Sequence, residues 1–119
     1  MYKSFREMPI WQEAMNIAVE IFKLTEKLPR KEDYGLTSQI RQSAVGISAT
    51  IAEAFGRQHS KDKANFYYFS RGSIAETISH LEYGYRVNYF SEDEKSVLNS
   101  RLESLNSDLN KVIKSLRDR

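Results

Sequence analysis

The chain lacks cysteine and has no long hydrophobic run, and it contains only two prolines and five glycines. Without cysteine it can form no disulfide, no thiolate zinc site and no thiol nucleophile, which suits a reducing compartment. No apolar stretch approaches the roughly 20 residues that span a bilayer, and the first seven residues lack the apolar core of a signal peptide. We therefore expect a cytoplasmic protein that does not enter a membrane.

Length and charge limit the remaining classes of protein. The 119 residues suffice for one domain, and 40% hydrophobic with 29% charged residues is the balance of a soluble globular protein. Eighteen basic and 16 acidic side chains give a net charge of +2, so a basic patch arises only where like charges are segregated. This composition permits nucleic-acid binding but does not require it.

Pro9, Pro29 and Gly35 divide the first half of the chain into two expected helices, over about residues 9–28 and 36–58. In both, apolar residues recur at spacings of three and four, which is typical of a helix that packs along one side. These residues are Ile10, Ala14, Ile17, Ile21, Leu24 and Leu28 in the first helix, and Leu36, Ile40, Ala44, Ile47, Ile51 and Phe55 in the second.

Two longer helices are expected in the second half, over about residues 61–90 and 92–117. The Ser60 hydroxyl is expected to cap the third helix, and Ser91 with Glu94 fits the capping box that starts a fourth. Helices of similar length with short connections pack most simply as antiparallel neighbours. The sequence therefore predicts an all-α fold, an antiparallel up-and-down four-helix bundle that forms one domain over residues 1–119.

Some apolar side chains lie off these core stripes, on a second stripe of the first helix and in a run of four aromatics in the third. They either widen the core of a small bundle or form a contact between copies of the chain, and the pattern leaves both interpretations open. This candidate oligomer surface comprises Trp11, Met15, Phe22, Phe66, Tyr68 and Phe69.

Charged residues inside the crowded helices suggest structural pairs. If the second and third helices turn near residue 59, Arg41 falls in the layer of Glu76, where the two could pair. Glu53 and Arg57 are four residues apart with the acid first, the favourable order for a pair within one helix. Because no second inward carboxylate accompanies either acid, a structural role is favoured over general acid–base catalysis.

The sequence predicts no catalytic, metal or cofactor site, no small-molecule substrate, and no enzyme. A di-metal site in a bundle needs several inward glutamates and Glu-x-x-His motifs, whereas this chain has only two histidines. The basic stretch between the second and third helices offers Arg57, Lys61 and Lys63 as candidate nucleic-acid contacts. A solvated turn is the favoured interpretation of this stretch, because Asp62 interrupts it and the net charge is small.

Several short motifs occur in fixed order along the chain. They are Tyr34-Gly35-Leu36, Gln39-Ile40-Arg41, Ile51-Ala52-Glu53, Gly56-Arg57, Phe66, Phe69, and Gly72-Ser73 with Glu76. Together they resemble the four-helix bundle proteins encoded in intervening sequences of bacterial 23S ribosomal RNA genes. The resemblance extends from about Phe5 to Phe90, and Ala54 departs from it, since the family pattern usually has glycine there.

The resemblance implies a four-helix protomer, assembly into a homopentamer, and a poorly defined molecular function. It also implies distant kinship with the accessory protein of diversity-generating retroelements, a basic pentamer that engages nucleic acid. Two hypotheses follow from the sequence as a whole. The first is a self-assembling scaffold without catalysis, and the second is an oligomer that binds RNA or DNA through basic patches repeated around a ring.

Overall fold

The computed structural model describes residues 1–118, and four α-helices account for most of them. Single turns of 3₁₀-helix, Phe5–Glu7 and Arg30–Glu32, precede the first and second of these helices. No strand occurs in the described range, which confirms the all-α prediction. The helices are α1 (Pro9–Thr25), α2 (Leu36–Gly56), α3 (Ser60–Arg86) and α4 (Glu92–Arg117).

The helices pack in chain order, each against the next, and α4 closes the bundle against α1. The bundle measures 46 × 22 × 20 Å, so its long axis follows the helices. Its core is one cluster of apolar residues to which every helix contributes, including Ile17, Ile47, Ile74 and Leu105. Burying each such side chain contributes about 1.5–3 kcal/mol.

The α2–α3 interface is the closest in the bundle because small residues line it. A Cβ atom at Gly46 would lie 3.1 Å from the Ser73 Oγ atom, so there is little room for a larger residue. Two hydroxyl pairs bridge the helices, Ser43 with Thr77 at 2.8 Å and Thr50 with Ser70 at 2.6 Å. These pairs satisfy polar groups that close packing would otherwise leave without partners.

The ends of α1, α2 and α3 differ from the sequence prediction. α1 ends at Thr25 instead of about residue 28, because the chain tightens into a 3₁₀-type turn before Pro29. α2 ends at Gly56. Ser60 is the first residue of α3 and His59 occupies the cap position without a side-chain hydrogen bond, so the Ser60 cap was wrong.

The α3–α4 turn explains why α3 ends four residues before the expected boundary. Asn88 adopts a left-handed conformation with φ of 69°, and the Tyr89 N–H donates to the Gly84 carbonyl at 2.8 Å. This closing pattern stops the helix and folds Phe90 back onto Gly84. α4 then starts at the capping box of Ser91 and Glu94, which is present as predicted.

Gly84 is required by the position of the Phe90 ring. An alanine Cβ there would overlap the ring, whereas a Cβ at Gly72, on the same helix, would meet nothing within 4 Å. We expect Gly84→Ala to lower the free energy of unfolding by about 1–3 kcal/mol through overpacking. Gly72→Ala is the matched control and should raise it by about 0.5–1 kcal/mol through helix propensity. Urea denaturation of both variants measures the difference, and equal effects would contradict the packing argument.

Glu32 connects the first loop to the third. Its carboxylate accepts hydrogen bonds from the Leu36 N–H at 3.1 Å and from the Tyr89 hydroxyl at 2.9 Å. The Leu36 bond takes the place of a side-chain cap at the start of α2, where Gly35 can offer none. Both bonds favour the ionised acid, so the pKa of Glu32 lies below its usual value, and the pKa of Tyr89 is raised.

The lowered pKa of Glu32 predicts a contribution to acid sensitivity. A carboxyl with a depressed pKa in the folded state stabilises the protein above its unfolded pKa, and this stabilisation is lost as the pH falls through the folded pKa. We expect Glu32→Gln to be less stable than wild type at pH 7 and to lose less stability on acidification. Thermal melts from pH 7 to pH 3 test this, with Glu103→Gln on the exposed side of α4 as the control. A parallel shift of the Glu32→Gln curve at every pH would contradict the linkage.

Candidate functional site

The outer sides of α1 and α2 carry apolar side chains that the core does not cover. Val19 is 44% exposed and Phe22 is 51% exposed on α1, and Val45 is 55% exposed on α2. The helical step places Phe22 and Val45 on the sides where α1 and α2 adjoin, and it places Val19 beside Phe22 on the outward side of α1. We call this surface, together with the half-buried Trp11 and Met15, the α1–α2 face.

Arg41 holds the α1–α2 face together. Its Nε donates to the Thr25 hydroxyl at 2.8 Å and its Nη2 donates to the Phe22 carbonyl at 3.3 Å. Its guanidinium also stacks on the Phe22 ring, 4.3 Å from the ring centroid. Arg41 thus connects α2 to the last turn of α1 and fixes the orientation of an exposed aromatic ring.

The expected pair of Arg41 with Glu76 does not form, because the two residues occupy opposite sides of α2. Arg41 faces α1, whereas Glu76 lies on the exposed side of α3 in a polar groove between α2 and α3. The groove has a volume of about 300 Å³. Its other lining residues are Gln39, Gln42, Ser43, Ser73 and His80.

The aromatic run of α3 divides between separate surfaces. Phe66 is half-buried and packs edge to face on Phe69, with ring centroids 5.5 Å apart. The Arg57 guanidinium lies over the Phe66 ring, 4.5 Å from its centroid. Phe69 remains 58% exposed on the α2 side of α3. Tyr68 lies on another side of the helix, where the Arg71 guanidinium is 5.5 Å from the centroid of its ring. We call Phe66 and Phe69 the α3 aromatic patch.

The six candidate oligomer residues therefore do not share one surface. Trp11 is half-buried and packs on Phe5 with ring centroids 5.1 Å apart, while Met15 is also half-buried. Val19 and Val45 are not among the residues that the sequence prediction named for this surface. In the sequence, each is an apolar residue outside the core spacing of its helix. One such valine on each helix is weak evidence for an interface, because single exposed apolar residues are common.

The basic turn between α2 and α3 is largely committed to contacts within the protein. Arg57 pairs with Glu53 at 3.1 Å, in the order expected from the sequence. The Lys63 ammonium donates to the carbonyls of Ala54 and Phe55 at 3.2 and 3.0 Å, and so caps the end of α2. Lys61 is exposed.

Two kinds of site are not found among residues 1–118. No group of three or more histidine, cysteine, aspartate or glutamate side chains is placed to bind a metal ion in this range. No helix over the same residues is long and apolar enough to cross a membrane.

Comparison with known proteins gives a family and a solved structure of the same fold. Residues 6–111 match the family described as 23S rRNA-intervening sequence protein. A crystal structure at 1.70 Å of a protein of unknown function from the S23 ribosomal protein family of Bacteroides thetaiotaomicron is similar, with a TM-score of 0.79 and 24% identity. The match covers 88% of this chain and 98% of that one, and it supports the fold alone.

Among curated proteins, none matches the chain significantly. Neither the family description nor that of the structural relative names an enzymatic activity. The family match includes the greater part of every helix, so it covers the α1–α2 face, the α3 aromatic patch and the basic turn together. The chain belongs to the 23S rRNA-intervening sequence protein family.

Proposed function

We propose that this protein is a non-enzymatic interaction module of the cytoplasm whose copies assemble through the α1–α2 face. The observation that carries the proposal is the exposure of Val19, Phe22 and Val45 on two neighbouring helices. Clustered apolar side chains on a soluble domain mark an interaction surface, whereas single ones are ordinary. A second copy would remove these side chains from water.

The contacts of Arg41 support this use of the α1–α2 face. Aromatic and arginine side chains are enriched among the residues that dominate binding at protein interfaces. Arg41 is already hydrogen-bonded to Thr25 and stacked on Phe22. The side chains of Arg41 and Phe22 therefore lose little conformational freedom on association. The surface is therefore preorganised for a partner.

A ring is the assembly that best uses the surfaces of the bundle. The α3 aromatic patch lies on the other side of α2 from the α1–α2 face, so the two patches could contact each other between neighbouring copies. Such head-to-tail contacts close into a ring when the rotation between copies allows it. A homopentamer, which the family resemblance implies, is one such ring.

Matched substitutions separate this interface from general surface effects. Val45→Glu places a charge on the α1–α2 face, while Val97→Glu places one at a 60% exposed valine of α4. The monomer should tolerate the charge on α2, since Arg41 lies one helical turn before Val45. We expect wild type and Val97→Glu to exceed the monomer mass in light scattering, and Val45→Glu to shift toward it. A wild-type monomer at high protein concentration, or equal behaviour of both variants, would refute the assembly.

RNA or DNA binding is the alternative function, favoured by the position of three cations. Arg57, Lys61 and Lys63 lie within two turns of the α3 N-terminus, which has no side-chain cap and attracts anions. The internal contacts of Arg57 and Lys63 reduce what each copy could offer to a phosphate. Repetition of the turn in an oligomer would raise the total charge that a nucleic acid meets.

The salt dependence of binding tests this alternative. We expect the affinity for a structured ribosomal RNA fragment to fall steeply with added salt. Lys61→Gln should reduce the slope of log K against log salt by about 0.7–0.9 for each phosphate that Lys61 neutralises in the wild-type complex. Lys111→Gln on α4 is the control, since it removes an exposed lysine elsewhere. Fluorescence anisotropy provides the measurement, and no binding at low salt would exclude this function.

A further inference from the structure

A cavity of about 430 Å³ lies at the end of the bundle near the α2–α3 turn. Its walls are mainly apolar, from Met8, Phe55, Val112 and Leu116, which come from the α1 cap and from α2 and α4. The exposed N-terminal residues Met1 and Tyr2 also line it. A concave, mostly apolar space of this size with few polar groups is the usual form of a small-molecule site. Neither the α1–α2 face nor the α3 aromatic patch contributes a residue to this cavity.

Among residues 1–118, Tyr67 gives the cavity its one unpaired buried donor. The side chain is 3% exposed, and its hydroxyl makes no hydrogen bond with any residue from 1 to 118. The unpaired side-chain oxygens that are fully enclosed belong to Thr37 and Asn99, so the Tyr67 hydroxyl keeps some access. Tyr67 lines the cavity, so a molecule bound there would lie against the accessible part of this side chain.

An unpaired hydroxyl at this depth is costly. Removing it from water without a partner costs about 1–3 kcal/mol, whereas phenylalanine would fill the same space without that cost. Burial without a charged partner raises the pKa of Tyr67, so the group stays a neutral donor at pH 7. An acceptor oxygen from a bound molecule would remove the penalty.

Lys63 also lines the cavity, one helical turn before Tyr67. Its ammonium donates to the carbonyls of Ala54 and Phe55, so it caps α2. The Tyr67 hydroxyl is therefore the donor that would recognise a ligand, and the apolar walls would hold the rest of the molecule.

We propose that this cavity binds a small, mainly apolar molecule through one carbonyl or carboxylate oxygen that accepts a hydrogen bond from Tyr67. This site does not depend on the assembly proposed above, because its walls belong to one chain and lie away from Phe22 and Val45. It assigns to the protein a ligand class that its surface residues do not suggest.

Two probes of similar shape test the assignment in wild type and in Tyr67→Phe. Acetophenone has the acceptor oxygen and ethylbenzene lacks it, and phenylacetate tests a carboxylate in the same position. In wild type we expect acetophenone to bind about five- to tenfold more tightly than ethylbenzene, the factor for one neutral hydrogen bond. In Tyr67→Phe the two affinities should become equal. Nuclear magnetic resonance titration should show shifts at residues 63–67 and 112–116.

The stability of Tyr67→Phe separates ligand binding from a structural role. We expect it to melt at or above the wild-type temperature without ligand, because it loses only an unpaired hydroxyl. Tyr85→Phe is the control on the same helix: its hydroxyl donates to Glu92 at 2.9 Å, so its loss should affect stability slightly and probe binding not at all. The proposal is overturned if neither oxygen-bearing probe binds, if the preference for acetophenone persists in Tyr67→Phe, or if that variant is strongly destabilised.

Discussion

The close packing of α2 against α3 is the constraint on which the rest of the structure depends. Gly46 leaves room for Ser73, and the hydroxyl pairs on either side of this contact fix the position of the two helices relative to each other along their axes. Once that position is fixed, the two sides of α2 contact different neighbours. Its α1 side presents Arg41, and its α3 side lies beside the aromatic patch of Phe66 and Phe69. The separation of the two candidate interfaces thus follows from how α2 is held.

Three charged side chains of this protein organise the backbone at helix ends. Arg41 binds the last turn of α1, Lys63 caps α2, and Glu32 takes the place of a cap at the start of α2. A charged side chain that hydrogen-bonds to an unpaired backbone carbonyl or N–H group at a helix end supplies a partner that apolar packing cannot supply. Because Arg57 and Lys63, two of the three candidate nucleic-acid contacts, already bind groups within the protein, we favour the proposed assembly over electrostatic recognition of nucleic acid.

The bundle has two unequal ends. At one end, Glu32 bonds to Tyr89 across the loops, and Lys27 pairs with Glu94 at 2.7 Å, so the first and third connections are tied together. At the other end, the helices leave the cavity that Tyr67 lines. The contacts between the connections stabilise the first end, while the apolar cavity at the second end is the space proposed for a ligand. An interaction surface along the side and a cavity at the end can operate independently, because no residue belongs to both.

The sequence alone determined the all-α class, the number and order of helices, the core stripes and the α4 capping box, because helical periodicity and caps are local properties of the chain. It also determined the relative position of α2 and α3 along their axes from the length of their turn. Only the tertiary structure decided that Arg41 faces α1 and not Glu76. Two residues at the same height along neighbouring helices can point in different directions, so the expected height of Arg41 and Glu76 did not determine whether they pair. The exposure of Val45 and the unpaired hydroxyl of Tyr67 likewise depend on what neighbouring helices leave uncovered, and no pattern within one helix contains that information.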